Sequence, residues 1–191
     1  MGICQSNNRR PLIKDVYWKL SMIDFFSIED RNGDGFITLE EIIANTAPLE
    51  EHCSASTEKM KALAQGLTEF WTEAGIKPGK KVSKKNFLKG LSKLGEKELE
   101  RESKGIPTLH SAVANALFDI IDENDNNQLS EKEIRNWMAA SGLNPEDAVQ
   151  IMRDADYREK GYITREELIE SEFCSFFRPD KCMIQLGIRV V

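Results

Sequence analysis

Hydrophobic residues in this chain recur at three- and four-residue intervals in blocks, and each block is followed by a short polar stretch built around one aliphatic residue. Leu67, Phe70, Trp71 and Ala74 form one block, and Ala114, Leu117, Phe118 and Ile121 form another. Ile134, Trp137 and Met138 resume the stripe after a polar interruption, while Met22, Phe25 and Phe26 open the series near the front. Such spacing is the buried stripe of an amphipathic helix. Asn144 and Pro145 read as an N-cap and first-turn proline ahead of a helix through Val149, Ile151 and Met152. The pattern predicts an all-α chain of four helix–loop–helix units, in two pairs, packed as one compact globular unit. Residues 14–95 would hold the first pair, with loops at 30–41 and 75–86. Residues 108–177 would hold the second, with loops at 122–133 and 156–167. Residues 1–13 read as a flexible tether. In the apolar tail, 178–191, Ile184, Leu186, Ile188 and Val190 alternate with polar or small residues, as suits an extended segment along an apolar groove.

The polar stretches carry the chemistry. Residues 30–41 read D-R-N-G-D-G-F-I-T-L-E-E, which resembles the twelve-residue calcium loop of an EF-hand at every position. Side-chain oxygens of Asp30, Asn32 and Asp34, the Phe36 carbonyl and both oxygens of Glu41 would supply the ligands, with Thr38 holding a bridging water. Gly35 permits the sharp turn, and Ile37 would pair with a partner loop. The helix ahead of this loop ends in Glu29 where an apolar residue is usual, a local flaw. The stretch 122–133 offers Asp122, Asn124, Asn126, the Gln128 carbonyl and Glu133, with Ser130 in the water-bridging place. Asn127 replaces the usual turn glycine, and Asn tolerates the left-handed conformation better than other residues with a side chain. With two ligand carboxylates against three, this loop should bind the more weakly.

The other two loops read as degenerate. In 156–167, Asp156, Gly161, Ile163 and Glu167 are in place, but Arg158 and Lys160 stand where ligands belong. Those groups donate and do not accept, so internal ion pairs with Asp156 and Glu167 are expected instead of a metal. The loop 75–86 is found by its flanks, with Val82 and Phe87 in register, and it contains no carboxylate. Two calcium ions are therefore expected, with Mg2+ as the competitor.

Composition narrows the classes without changing this picture. A net charge of -6 disfavours nucleic acid as a partner. Hydrophobic residues at 40% suffice for a core. No apolar run approaches the length of a membrane span, and Cys4, Cys53, Cys174 and Cys182 show no paired spacing, so reduced thiols in a cytoplasmic protein are expected. His52 and His110 are the only histidines and neither stands near a nucleophile in sequence, so an enzyme is not expected.

Loop starts at 30, 75, 122 and 156 give two long steps and a short one, with calcium ligands kept in the first and third hands. This rhythm resembles the sarcoplasmic calcium-binding proteins, the calexcitins and the luciferin-binding relatives within the EF-hand superfamily. The resemblance implies two pairs packed over a shared apolar interior, with Phe70, Trp71, Phe87, Phe118, Trp137 and Phe173 as core. Ordinary packing is the expected role of those aromatics, in preference to lining a ligand cavity. Photoprotein relatives carry a C-terminal histidine and proline arrangement that this tail lacks, so light emission is not expected.

The front of the chain, M-G-I-C-Q-S, fits an acylation motif resembling that of the neuronal calcium sensors: Gly2 would take myristate and Cys4 palmitate. One acyl chain anchors only marginally, and Cys4 or the basic Arg9, Arg10 and Lys14 would add the second hold on an inner membrane leaflet. The expected function is a calcium sensor or buffer on the cytoplasmic face of a membrane, with a protein target engaged when calcium binds. The alternative is a calcium-regulated carrier of an apolar small molecule.

Overall fold

The computed structural model describes residues 11–156 and 158–179, so Gly2, Cys4 and nearly all of the 178–191 tail lie outside the described residues. The chain is mostly helical. The first hand consists of α1 (Val16–Glu29), a two-residue strand β1 (Phe36–Ile37) and α2 (Leu39–Ala44). A short helix α3 (Pro48–His52), not foreseen from the hydrophobic pattern, leads into α4 (Thr57–Glu73), β2 (Val82–Ser83) and α5 (Lys84–Ser103). The second half runs through α6 (Leu109–Ile121), β3 (Gln128–Leu129), α7 (Glu131–Ala140), α8 (Ala148–Ala155), β4 (Ile163–Thr164) and α9 (Arg165–Phe177). Asn144 caps a single 3-10 turn, Pro145–Asp147, and α8 starts only after it.

Local chemistry sets these boundaries. Asp15 caps α1 by accepting from the Trp18 backbone N–H, and Ser56 and Thr108 cap α4 and α6 in the same way. The helices that leave the first, third and fourth loops each begin with a reciprocal capping box, Thr38 with Glu41, Ser130 with Glu133 and Thr164 with Glu167. Glu98, fully buried, accepts from the His110 backbone N–H at 2.8 Å and from Arg101 at 2.6 Å, and so fastens the start of α6 to α5.

The strands pair antiparallel within each half. Ile37 stands opposite Val82, and Leu129 opposite Ile163, so the lone aliphatic of each loop meets that of its partner. One core cluster gathers α1, α2, α4 and α5 around Trp18, Phe26, Trp71 and Phe87, and it recruits Phe173 and Phe177 from α9. A second lies among α6 to α9 around Phe118, Ile121 and Ile134. A third cluster joins the halves, bringing Leu49, Cys53 and Leu63 against Ile120 and Ala140. The Trp18 indole N–H also donates to the Phe176 carbonyl at 2.7 Å, tying α1 to α9. Gly90 is required by packing, because a Cβ there would stand 1.9 Å from the Ala74 carbonyl oxygen where α5 meets the end of α4.

Candidate functional site

In the first loop, a hydrogen-bonded frame holds the candidate ligands. Asp30 accepts from the backbone N–H groups of Asp34 at 3.1 Å and Gly35 at 2.9 Å; Asn32 accepts from Asp34 at 2.8 Å, and Asp34 from Phe36 at 3.0 Å. Glu41 accepts from the Thr38 backbone and hydroxyl, both at 2.9 Å. Gly33 and Gly35 take positive φ of 69° and 82°. Among the described residues no three His, Cys, Asp or Glu side chains converge as a metal cluster. The loop's oxygens are turned to other partners: the Asn32 amide donates to Glu41, and the Lys81 ammonium, reaching across from the neighbouring loop, pairs with Asp34. That hydrogen bond holds the Asp34 carboxyl below its ordinary value. The donor set is nevertheless all oxygen and three of its members are carboxylates, as suits a hard divalent cation.

The loop 122–133 repeats the frame. Asp122 accepts from Asn126 at 3.0 Å and from Asn127 at 2.8 Å; Asn126 accepts from Gln128 at 2.8 Å. Glu133 accepts from the Asn124 amide at 2.9 Å and from the Ser130 backbone and hydroxyl at 2.8 and 2.7 Å. Asn127 adopts φ 59°, the left-handed conformation that a glycine usually supplies. Its side-chain oxygen accepts from Arg165 at 3.1 Å, and the same guanidinium pairs with Asp119 at 2.7 Å and stacks 4.1 Å from the Phe118 ring centroid. Residues that point away from the ligand set fasten this loop to the first half. Glu123 accepts from Ser54 at 2.9 Å, and Asp125 from Lys59 at 2.7 Å.

The fourth loop closes on its own cation. The Lys160 ammonium donates to Asp156 Oδ1 at 2.7 Å and to the two Glu167 oxygens at 2.7 and 2.8 Å. Its bond to Asp156 pulls that carboxyl down to about 2. A divalent ion would have to displace an ammonium from both of the loop's strongest ligands. In the second loop, Gly75 and Gly79 take positive φ, and the Gly79 N–H donates to Glu40 at 2.9 Å.

A cavity of about 270 Å3 lies between the two pairs, an arrangement that the aromatic pattern alone did not reveal. Phe25 and Ile28 of α1, Leu67, Phe70 and Trp71 of α4, His110 and Leu117 of α6, Trp137 of α7 and Phe176 of α9 form its wall. Two expectations are corrected here. Phe70 and Trp71 pack in the core as expected, each with one side on the cavity, whereas Trp137 is only half-buried on this wall. Glu29 is no flaw but another wall residue: Asn45 at the end of α2 donates to it at 2.7 Å, while burial raises its carboxyl. The wall also carries Glu172, whose carboxyl burial pushes up to about 7, and His110, whose imidazole burial pushes down to about 4. Cys53 and Cys174 are both buried, and the Cys174 thiol donates to Glu170 at 3.4 Å. Among the described residues no helix is long and apolar enough to cross a membrane.

Residues 22–44 match the EF hand family. Obelin of Obelia longissima is 29% identical over 152 residues, spanning 77% of this chain and 75% of obelin. The luciferin-binding protein of Renilla reniformis is 23% identical over 146 residues, 73% of this chain and 75% of that protein. Calcium-loaded apo-aequorin from Aequorea victoria superposes with a TM-score of 0.79 at 26% identity, covering 84% of this chain and 90% of that one.

Proposed function

We propose that this EF-hand chain is a calcium-regulated binder of an apolar small molecule, with calcium taken at loops 30–41 and 122–133 and the molecule held in the central cavity. The cavity is the observation that carries the reading. It is concave and largely apolar, with a few polar groups, and it lies between helices from both halves, as small-molecule sites do. Likeness to a luciferin-binding protein and to a calcium-loaded apoprotein supports the same reading. The expectation of a sensor or buffer with a purely packed interior is less well supported.

The two functions are connected by the wall itself. Glu29 and Asn45 flank the ends of the first loop's two helices, and both face the cavity. Ions drawn into Asp30 and Glu41 would pull on α1 and α2 at those ends, and so alter the affinity of the cavity. Reciprocity then requires that an occupant alter calcium affinity by the same factor. Titrating apo and calcium-loaded protein with an apolar fluorophore, read by Trp71 and Trp137 quenching, tests this. Stoichiometric binding that changes with calcium is expected, and no binding in either state would refute it.

A membrane address is a separate part of the proposal and rests on the motif at Gly2 and Cys4. By this reading the binder is held on the cytoplasmic face of a membrane by acyl groups. Gly2→Ala should move the protein to the soluble fraction, and a variant that still sediments with membranes would contradict it.

A further inference from the structure

We infer that the cavity is built for a flat apolar molecule bearing a basic or N–H-donating nitrogen, which pairs with Glu172, and that it rejects molecules of similar shape bearing a carboxylate. This rests on the cavity reading above and narrows the class of occupant.

The argument is one of unmet hydrogen bonds. Most of the wall is aliphatic and aromatic, so burial of ring surface supplies the attraction, and its polar groups select the ligand. Glu29 has Asn45 as a partner, and the neighbouring Arg31 offsets its charge. Glu172 differs. It projects from α9 onto the cavity, and among the described residues it has no hydrogen bond and no ion pair. Desolvation alone drives its carboxyl up to about 7, since no cation or donor nearby opposes it.

Glu172 is half-buried, so an occupant that covers its carboxyl must either bring a donor to it or leave it unpaired at a cost. A purely apolar occupant brings no such donor. An anionic one would add a carboxylate to a low-dielectric space that already holds Glu172 and Glu29, where they cannot all remain ionised. Two further polar atoms belong to wall residues. The Trp71 indole nitrogen and His110 Nδ1 are buried without a partner among the described residues. Phe70, Phe173, Phe176 and Phe177 surround the His110 ring at centroid distances of 5.4 to 6.0 Å, so the imidazole stays neutral, and the wall's cation, Arg31, already faces the charge of Glu29.

Three probes of one shape decide it: 9-aminoacridine, 9-methylanthracene and anthracene-9-carboxylate, each titrated calorimetrically into the full chain and into Glu172→Gln. In the native chain the amine should bind on the order of tenfold more tightly than the neutral ring, the worth of a charge-assisted hydrogen bond, and the carboxylate should bind most weakly. Glu172→Gln should erase the amine's advantage, leave the neutral ring unchanged and admit the carboxylate. Equal affinities for the three probes, or an order that Glu172→Gln does not alter, would overturn the inference while leaving the cavity reading intact. Failure of all three to bind would remove the cavity reading and this inference with it. A circular dichroism spectrum matching the native chain establishes that Glu172→Gln is folded.

Discussion

The first loop, 30–41, and the fourth, 156–167, stand on the same frame, and each has a lysine among its carboxylates. Both open with an Asp that accepts from backbone N–H groups and both end in a Thr–Glu capping box. They differ in where the lysine comes from. Lys81 reaches the first loop from the neighbouring hand, its side chain 63% exposed, and touches only Asp34 among the ligands. Lys160 belongs to the fourth loop; its side chain is 20% exposed and binds Asp156 and Glu167, whose own side chains are 6% and 4% exposed. An exposed ammonium can return to water at little cost, so the first loop can exchange it for a divalent ion. Lys160 is packed beside Tyr162 and serves as the fourth loop's permanent counter-ion. The contrast is between a cation seated within the ligand set, which closes the fourth loop on itself, and a lysine reaching across the pair, which meets the first loop at a single carboxylate.

The largest test removes the first loop's closing ligand. Glu41→Gln takes away a bidentate carboxylate and should weaken calcium there on the order of a hundredfold, since EF-hand affinity spans roughly six decades with ligand charge and rigidity. Calorimetry should then count one tight ion fewer, and an unchanged isotherm would refute the assignment of Glu41. The next test reverses the fourth loop. Joint replacement of Arg158 and Lys160 by Asp should add one ion to the calcium stoichiometry. It should also lower the melting temperature without metal, because Asp156 and Glu167 would lose their cation, and calcium should restore it. A stoichiometry that stays the same would mean that the loop's backbone, beyond its charge, forbids the ion.

Acid provides a milder comparison on the native chain. The hydrogen bond from Lys160 depresses Asp156 from its ordinary 3.8 to about 2, so its contribution is complete above about pH 3.8 and is lost as pH falls towards 2. Melting followed down this range should show a fall in stability that Lys160→Met lacks, since in that variant the loop has already lost its ion pair. An identical acid profile in the two proteins would show that the ammonium contributes nothing to closure.

What the sequence disclosed about these loops was local. Ligand spacing, capping residues and the lone aliphatic at Ile37, Val82, Leu129 and Ile163 all lie within a dozen residues, so a single loop displays them. Even the carboxylate-free second loop could be located, because Val82 must meet Ile37. The features missed were those made by distant parts of the chain. Lys81 and Asp34 are 47 residues apart, and nothing near either one announces the pair. The cavity is lined by helices from both halves, which no single stretch of sequence brings together. Aromatic residues at helical spacing look the same whether they fill a core or line a space, so Phe70 and Trp71 gave no warning of it. Glu29 and Glu172 were the available hints, being acids on otherwise apolar helix faces. Glu29 reads from the sequence as a local flaw, and nothing in the local pattern singles out Glu172.

Lys81 provides the smallest and most discriminating test of the contrast between the loops. If its ammonium only visits the first loop, Lys81→Met should tighten calcium there by no more than about fivefold, the upper worth of an exposed ion pair. The effect should also fade in about 1 M salt, where the screening length falls to roughly 3 Å. A gain that survived high salt would mean that Lys81 is held as Lys160 is, and the distinction between a tuned site and a closed one would fail. A gain confined to low salt would place Lys81 outside the coordination shell. Calcium would then meet in the first loop a competitor already bound to water, and in the fourth one that has nowhere else to go.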